Sequence, residues 1–231
     1  MQTYPRATGL YDPRFEHDSC GVSFVAHMKG ERSNALVQTG LRALTNLEHR
    51  GATGAEADTG DGAGILLQVP DTLLRAVVGF DLPPAGHYAA GIAFLPYDEV
   101  LCEKAQAQIE SIVVEEGLTV LGWRELPVDP SCLGKTARAA MPTFKQLFVS
   151  SPGGHSGIDL DRLTFVARKR VEHELFGEMA TYFASLSART IVYKGMLTTP
   201  QLSEFYPDLN DDRIESALAL VHSRFSTNTF P

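Results

Sequence analysis

The sequence predicts a mixed α/β fold. Segments of alternating apolar residues interleave with segments of helical period along the 231-residue chain. Apolar residues make up 44% of the chain and charged residues 21%, which suits a protein with a substantial core and excludes an intrinsically disordered one. We find no internal repeat and no low-complexity linker. The predicted organisation is therefore a polar leader over residues 1–19, followed by one folded unit over 20–231.

The first strand and helix are clearly marked. Apolar alternation begins at Cys20 and predicts a strand over 20–26. Ser33 is a typical N-cap residue, and the apolar stripe of a helix follows it at three- and four-residue spacing. That stripe is formed by Leu36, Gly40, Leu41, Leu44 and Leu47. The helix should end near Arg50–Gly51, because glycine commonly ends helices.

The elements that follow alternate in the same way. A loop over 51–64 leads to a buried strand over 65–69, and Asp71 should cap a short helix. The pattern then predicts strands over 88–95, 118–126 and 143–149, helices over 98–116 and 160–176, and a long connection over 127–142. Residues 182–187 and 190–194 resemble two strands at a tight turn, followed by a short helix at 200–204 and a last strand over 217–225.

Charge and composition exclude several classes of protein. The net charge of −8 argues against binding to the nucleic-acid backbone as a main activity. No apolar stretch approaches the roughly 18 residues of a membrane helix, and the N-terminus lacks the apolar core of a secretory signal. Three cysteines are too few for a disulfide framework, and an odd number cannot all pair. We expect a reduced, cytoplasmic protein without nucleic-acid or membrane partners.

The glycine-rich loop fits neither of two familiar ligand-binding patterns. A dinucleotide fingerprint follows a strand and opens a helix, whereas this loop follows a helix and opens a strand. Glu56, Asp58 and Asp61 do not have the alternating spacing of a calcium loop. We therefore expect its five glycines to serve tight turns and close packing, and no metal site.

Cys20 is the candidate nucleophile. A lone cysteine is usually a small buried apolar residue, but Cys20 stands where the polar leader ends and a strand begins. Removal of the leader would give it a free α-amine with a pKa of about 7.7–8.0, beside a thiol of about 8.5. That amine could act as general base, so no histidine partner is required. We expect His49 and His222 to have structural roles, and likewise Cys102 and Cys132.

Three blocks of sequence resemble the glutamine amidotransferase domain of glutamate synthases, an N-terminal-nucleophile hydrolase of class II. They are HDSCGV at 17–22, LEHRGATGAE with TGDGAGI over 47–65, and HSRFSTNTFP at 222–231. The blocks occur in the family's order and span almost the whole chain. Another class II amidotransferase would share the Cys-Gly start and an Arg-Gly pair, but we would not expect it to carry both TGDGAG and RFSTNTFP.

The resemblance implies a role for each matching residue. Cys20 would be the catalytic nucleophile after removal of residues 1–19, and Arg50 and Gly51 would shape the site. Arg224 would bind the α-carboxylate of L-glutamine, for which a guanidinium has the right planar fork. Thr227 and Asn228 would line the same pocket.

The implied fold is the four-layer αββα sandwich of these hydrolases, incomplete at its C-terminal side. The implied reaction is hydrolysis of L-glutamine through a Cys thioester, with the ammonia passed to 2-oxoglutarate by the synthase domains. The resemblance further implies FMN and an iron–sulfur cluster in the full-length parent, with no cofactor in this segment, and a small electron-donating subunit as a possible partner.

The matching segment of the family continues beyond the final block. There the family carries an asparagine and a glycine that form the oxyanion hole and an aspartate that holds the substrate's α-amine. We therefore expect the chain to be a fragment that is inactive alone. Two alternatives remain open at this stage: a non-catalytic binding or regulatory remnant of the same fold, and a hydrolase that pairs Cys20 with His49 or His222.

Overall fold

Within the described residues, the strands form two four-stranded antiparallel sheets. The computed structural model describes residues 9, 21–50, 56, 58–175, 177, 179 and 181–223, and only the backbone of Arg50. The first sheet has the order β1 (Val22–Ala26), β8 (Leu218–His222), β2 (Ala63–Gln68) and β7 (Thr190–Gly195). The second has the order β4 (Thr119–Glu125), β5 (Thr143–Ser150), β3 (Tyr88–Leu95) and β6 (Tyr182–Phe183).

Helices alternate with these strands, which confirms the predicted α/β class. They are α1 (Asn34–Asn46), α2 (Asp71–Val77), α3 (Glu99–Glu115), α4 (Lys135–Ala139), α5 (Gly157–Glu174) and α6 (Gln201–Phe205). The predicted cap at Ser33 is confirmed, because its side-chain oxygen accepts a hydrogen bond from Leu36 N. Asp98, predicted as the first residue of its helix, is the N-cap of α3 and accepts from Leu101 N. None of the helices in the described ranges is long and apolar enough to cross a membrane.

The second sheet belongs to a unit inserted between β2 and β7. Its strands and the two long helices follow one another as β3-α3-β4-β5-α5-β6, and β5 lies between β3 and β4. Because β5 is antiparallel to both neighbours, β3 and β4 are parallel and form a split βαβ motif. The arrangement is that of a ferredoxin-like βαββαβ unit. Buried side chains of α3 and α5 form one core with Ala89, Ala93 and Leu95 of β3.

Helix α1 covers one face of the first sheet. Its apolar stripe, predicted from the spacing of Leu36, Leu41 and Leu44, packs in one cluster with Ile65 and Val221. Gly40 sets the distance, because a Cβ there would lie 2.6 Å from the Cβ of Ala219. The helix ends at Asn46 and is continued by a 3₁₀ turn over Glu48–Arg50, which places its end close to the predicted position.

The opposite face of the first sheet is open in the described part of the chain. Phe24 is 75% exposed, Val22 55% and Leu220 42%, although all three lie in strands. Phe24 and Leu220 are directly paired across β1 and β8. A sheet face of this kind is normally buried against another layer.

Aromatic side chains join the inserted unit to the first sheet. Phe144 of β5 lies edge-on to Tyr206, with ring centroids 6.0 Å apart, and Tyr206 lies edge-on to Tyr193 of β7 at 5.3 Å. Both tyrosines are fully buried. The two sheets therefore share one continuous core on this side of the molecule.

The predicted pairing of residues 182–187 with 190–194 is wrong. β6 pairs with β3 of the inserted unit, whereas β7 pairs with β2 of the first sheet. The turn between them therefore links two different sheets. Alternation in the sequence predicts a strand but does not specify its partner, which depends on contacts distant along the chain.

Three further local predictions differ from the structure. Asp71 is the first residue of α2 and does not cap it; its carboxylate instead accepts hydrogen bonds from Arg75 and the Tyr88 hydroxyl. The connection over 127–142 contains a 3₁₀ turn at Pro130–Cys132 and the short helix α4. Strand β2 begins at Ala63, two residues before the prediction, so Gly64 lies in the sheet and not in the loop.

Candidate functional site

The end of β8 is bound to the chain just before β1. The amide of Ser223 donates a 2.8 Å hydrogen bond to the carbonyl oxygen of Gly21, and Ser223 is buried. In sequence, Cys20 is bonded to Gly21 and Arg224 to Ser223. The fold thus brings together the two chain segments that lead directly to the predicted nucleophile and to the predicted carboxylate-binding arginine.

One row of residues crosses the first sheet at this end. Val22 is paired with His222, His222 with Gly64, and Gly64 with Lys194. All four positions lie on the open face, since Ile65 and Val221, their neighbours along β2 and β8, are on the buried face under α1. Gly64 has no side chain, so the row has a hollow between His222 and Lys194.

This hollow is part of a cavity of about 260 Å³. Its wall is formed by backbone and side chains of β2, β7 and β8: Gly62, Ala63, Gly64, Ile65, Leu66, Val192, Lys194, Leu220 and His222. Most of the wall is apolar, with an imidazole and an ammonium group at its polar end. Ligand pockets in proteins commonly combine an apolar lining with a few polar groups in this way.

The two polar groups of the cavity differ in their environment. Burial lowers the pKa of the His222 imidazole below its usual range, so His222 is a neutral hydrogen-bonding group at neutral pH. The Lys194 ammonium lies over the Tyr182 ring, 4.4 Å from its centroid, and donates to the Tyr182 hydroxyl. The predicted structural role of His222 stays a prediction, but its position beside the cavity makes it part of the candidate site.

The glycine loop enters the site from the other side. Gly60 packs so closely against the backbone that a Cβ there would lie 2.4 Å from Leu197 O. Gly62 has a φ of 143°, which favours glycine, and Gly64 forms the hollow. For these three glycines the expected use in turns and close packing is confirmed; Gly51 and Gly54 lie outside the described residues.

Hydrogen bonds to distant parts of the sequence hold this loop. The Glu56 carboxylate accepts hydrogen bonds from Thr136 N at 3.1 Å and from Thr59 Oγ1 at 3.0 Å. These bonds, the Thr136 amide foremost, hold the pKa of the Glu56 carboxyl below its usual range. The Gln201 amide donates to Asp58 O at 2.9 Å. Sequence reasoning rejected Glu56 as a calcium ligand and otherwise included it only in a motif block, and it did not identify Gln201, because neither contact has a local signal.

Most of the predicted site residues lie outside the described residues. These are Cys20, Gly51, Arg224, Thr227 and Asn228. The backbone of Arg50 ends the 3₁₀ turn that follows α1, and Gly51 is the next residue in sequence. In the same turn, His49 Nδ1 lies 3.0 Å from Asn46 O, an exposed local contact.

Comparison with known proteins identifies the family of the chain. The family model of glutamine amidotransferases of class II matches residues 20–231. The chain is 44% identical over 230 residues to the Glutamate synthase (NADPH) large chain of Bacillus subtilis (strain 168). The matching region covers 98% of this chain and 15% of that protein.

Two other relatives are similarly close. The chain is 41% identical to Glutamate synthase (NADH) of Schizosaccharomyces pombe, over 98% of this chain and 11% of that protein. It is also 41% identical to Ferredoxin-dependent glutamate synthase 2 of Synechocystis sp., over 94% of this chain and 14% of that protein. The chain therefore spans about a tenth to a seventh of the length of these relatives. Because the family model matches almost all of it, the chain belongs to the class II glutamine amidotransferases.

Proposed function

We propose that the chain provides the glutaminase site of a glutamate synthase. The observation that carries the proposal is the bond between Gly21 and Ser223, because it brings the segments that continue to Cys20 and Arg224 side by side. Consecutive Cα atoms are about 3.8 Å apart, so neither residue can lie far from this bond. A nucleophile and a carboxylate-binding group on two neighbouring segments suit an amino acid whose side-chain amide is attacked.

In the proposed reaction, the Cys20 sulfur attacks the side-chain amide carbon of L-glutamine. The α-amine of Cys20, freed by loss of residues 1–19, takes the thiol proton and returns it to the leaving nitrogen. The C–N bond then breaks, ammonia leaves, and a γ-glutamyl thioester remains. Water attacks this thioester, which releases glutamate and restores the thiol.

The other predicted residues have supporting roles in this proposal. Arg224 binds the α-carboxylate with two parallel hydrogen bonds, and Thr227 and Asn228 line the pocket beside it. Arg50 and Gly51 shape the wall next to the nucleophile. The open face of the first sheet, with Phe24 and Leu220 exposed, supports the proposal that a further sheet completes a four-layer sandwich.

The remaining functions of a glutamate synthase extend the proposal beyond this site. Ammonia passes to synthase domains, where 2-oxoglutarate becomes glutamate. FMN, an iron–sulfur cluster and an electron-donating subunit serve that second reaction, and we assign none of them to residues of this chain. We further propose that the protein acts in the cytoplasm.

The nucleophile can be tested on the active native protein. We expect its N-terminal residue to be Cys20, and we expect Cys20→Ala to abolish ammonia release from glutamine while leaving the thermal midpoint nearly unchanged. Cys132→Ala is the matched control, because Cys132 is a half-buried thiol whose sulfur contacts the carbonyl oxygen of Asp129 in the same turn. An active enzyme that still began at Met1 would contradict the proposed amine base.

A specific observation keeps a second mechanism under test. His222 lies one residue before Ser223, and its pair across β1 is Val22, two residues from Cys20. A Cys20–His222 hydrolase would therefore be sterically reasonable. Under that mechanism, His222→Gln would abolish activity and the leader could remain; under the proposed one, the α-amine is the base and His222→Gln retains turnover.

Substrate recognition provides an independent test. Arg224→Lys replaces a planar fork with a point charge and should lower kcat/KM for glutamine by raising KM. Loss of such a charge-assisted bond costs about 1.5–3 kcal/mol, on the order of tenfold to more than a hundredfold. Arg213→Lys is the control, since Arg213 lies on the surface and pairs with Asp211. Equal kcat/KM in both variants would remove Arg224 from the site.

A further inference from the structure

We propose that Gln201 and Glu56 are positioning residues of the glutaminase site, and this inference rests on the proposed function. They hold segment 58–62, which precedes β2. Gly62 and Gly64, at the end of that segment, line the cavity beside His222. A group that fixes this segment therefore acts on the wall of the cavity without touching the substrate.

Gln201 engages both of its side-chain N–H donors and its carbonyl oxygen to do so. Its side-chain nitrogen donates to Asp58 O at 2.9 Å and to Cys132 O at 2.6 Å, and its oxygen accepts from Thr198 N at 2.8 Å. An amide has two N–H donors and one carbonyl oxygen, so every group is engaged. Because Gln201 is only 6% exposed, water cannot replace these bonds.

Glu56 fixes the same segment to α4. Its carboxylate joins Thr59 to the first turn of α4 through Thr136 N, while Gly134 N donates to Asp58 O at 3.0 Å. The carbonyl oxygen of Asp58 thus receives two donors, from Gln201 and from Gly134. The two sets of bonds anchor the segment to parts of the chain that lie about 80 and 143 residues away.

Close packing leaves the anchored segment little freedom to move. Gly60 lies against the Leu197–Thr198 backbone, where even a Cβ would clash. Loss of the Gln201 bonds would release Asp58 and allow the chain leading to Gly62 to shift. In enzymes, a misplacement of about 1 Å can cost on the order of a hundredfold in rate.

The test compares Gln201→Met with Gln38→Met in the native protein. Both changes remove an amide of similar size, and Gln38 also donates to a carbonyl, Leu209 O at 3.0 Å, but away from the loop. We expect the first variant to lose about tenfold to a hundredfold in kcat/KM for glutamine, measured per folded molecule well below the thermal midpoint. We expect the second to keep the wild-type value.

Hydrogen exchange followed by mass spectrometry gives a readout that needs no activity. Amides of segment 58–66 should exchange faster in Gln201→Met than in the wild type. In Gln38→Met their exchange rates should equal those of the wild type. Thr59→Val, which removes only the hydroxyl bond to Glu56, should show the same effect in weaker form, and serves if Gln201→Met does not fold.

The outcomes separate the two proposals. An active wild type whose Gln201→Met variant keeps its kcat/KM, or whose segment 58–66 exchanges as before, would overturn the positioning role alone. A correctly folded wild type that released no ammonia from glutamine would overturn the proposed function, and with it the catalytic purpose of the positioning.

Discussion

His222 combines a place at the candidate site with an unusual electrostatic environment. It lies next to Gly64 across the sheet, and its imidazole faces the cavity. Burial lowers the pKa of His222, because a low-dielectric surrounding disfavours the charged form. At neutral pH the residue is therefore a neutral donor and acceptor, suited to orient a neighbouring group.

This lowered pKa predicts how stability depends on pH. Below about 6.5 the unfolded chain binds a proton on His222 that the folded chain does not yet accept, so the free energy of unfolding falls as the pH decreases. The fall continues until the folded pKa is reached. Its upper limit is about 1.4 kcal/mol per pH unit, and solvent screening of the half-exposed ring reduces it.

Urea unfolding of the wild type and of His222→Gln, at pH 7.5 and at pH 5.5, measures this effect. We expect the variant to lose less stability between the two pH values than the wild type. His155→Gln is the control, since His155 is exposed on the turn after β5 and contacts Ser151. Identical pH dependence in wild type and His222→Gln would contradict the lowered pKa.

At the scale of the elements, β2 and the loop before it determine the shape of the site. The strand contributes Gly64 and Leu66 to the cavity, and the loop contributes Gly62. The loop can approach the β7–α6 connection because Gly60 has no side chain. The position of β2 therefore depends on a contact between backbones as well as on its pairing with β7 and β8.

Gly60→Ala should displace this contact. The new Cβ would lie 2.4 Å from Leu197 O and 2.6 Å from Thr198 N, which are backbone atoms that cannot rotate away. We expect a loss of about 1–3 kcal/mol in the free energy of unfolding and a larger KM for glutamine. Gly79→Ala is the control, because nothing lies within 4 Å of its added Cβ. Equal stability in both variants would contradict the close approach.

The elements also show which features a sequence can predict. Strand β3 has its predicted bounds, and Ser33 and Asp98 cap the predicted helices, because these features depend on neighbouring residues. The predicted pairing of β6 with β7 is wrong, and the contacts of Gln201 have no sequence signal, because both depend on residues far apart in sequence. The position of Cys20 at the end of the leader predicts the nucleophile, and the motif resemblance predicts the other site residues. The cavity at Gly64 and Lys194 depends on the register of the sheet, which no local pattern specifies.

At the scale of the whole molecule, one buried ion pair joins the inserted unit to the first sheet. Arg124 of β4 makes two 2.8 Å hydrogen bonds to the carboxylate of Asp208, in the 3₁₀ turn over Pro207–Asn210. The Tyr193 hydroxyl of β7 donates to the same carboxylate at 3.2 Å. Burial raises the pKa of the Tyr193 phenol well above its usual range, so it remains a donor. Asp208 thus connects the two sheets.

Asp208→Asn should weaken the whole fold, because it leaves the Arg124 guanidinium buried without its counter-charge. Arg124 and Asp208 have side chains only 10% and 5% exposed, so water cannot compensate. Breaking a buried pair in this way costs about 3–5 kcal/mol. Asp211→Asn breaks a more exposed pair with Arg213 in the same region and should cost about 0–1 kcal/mol.

Denaturant unfolding, followed by Trp123 fluorescence in the inserted unit and by hydrogen exchange in β2, should show both regions losing stability together in Asp208→Asn. If β2 kept its protection while the inserted unit unfolded, the pair would not couple the two sheets, and the inserted unit would be an independent folding unit.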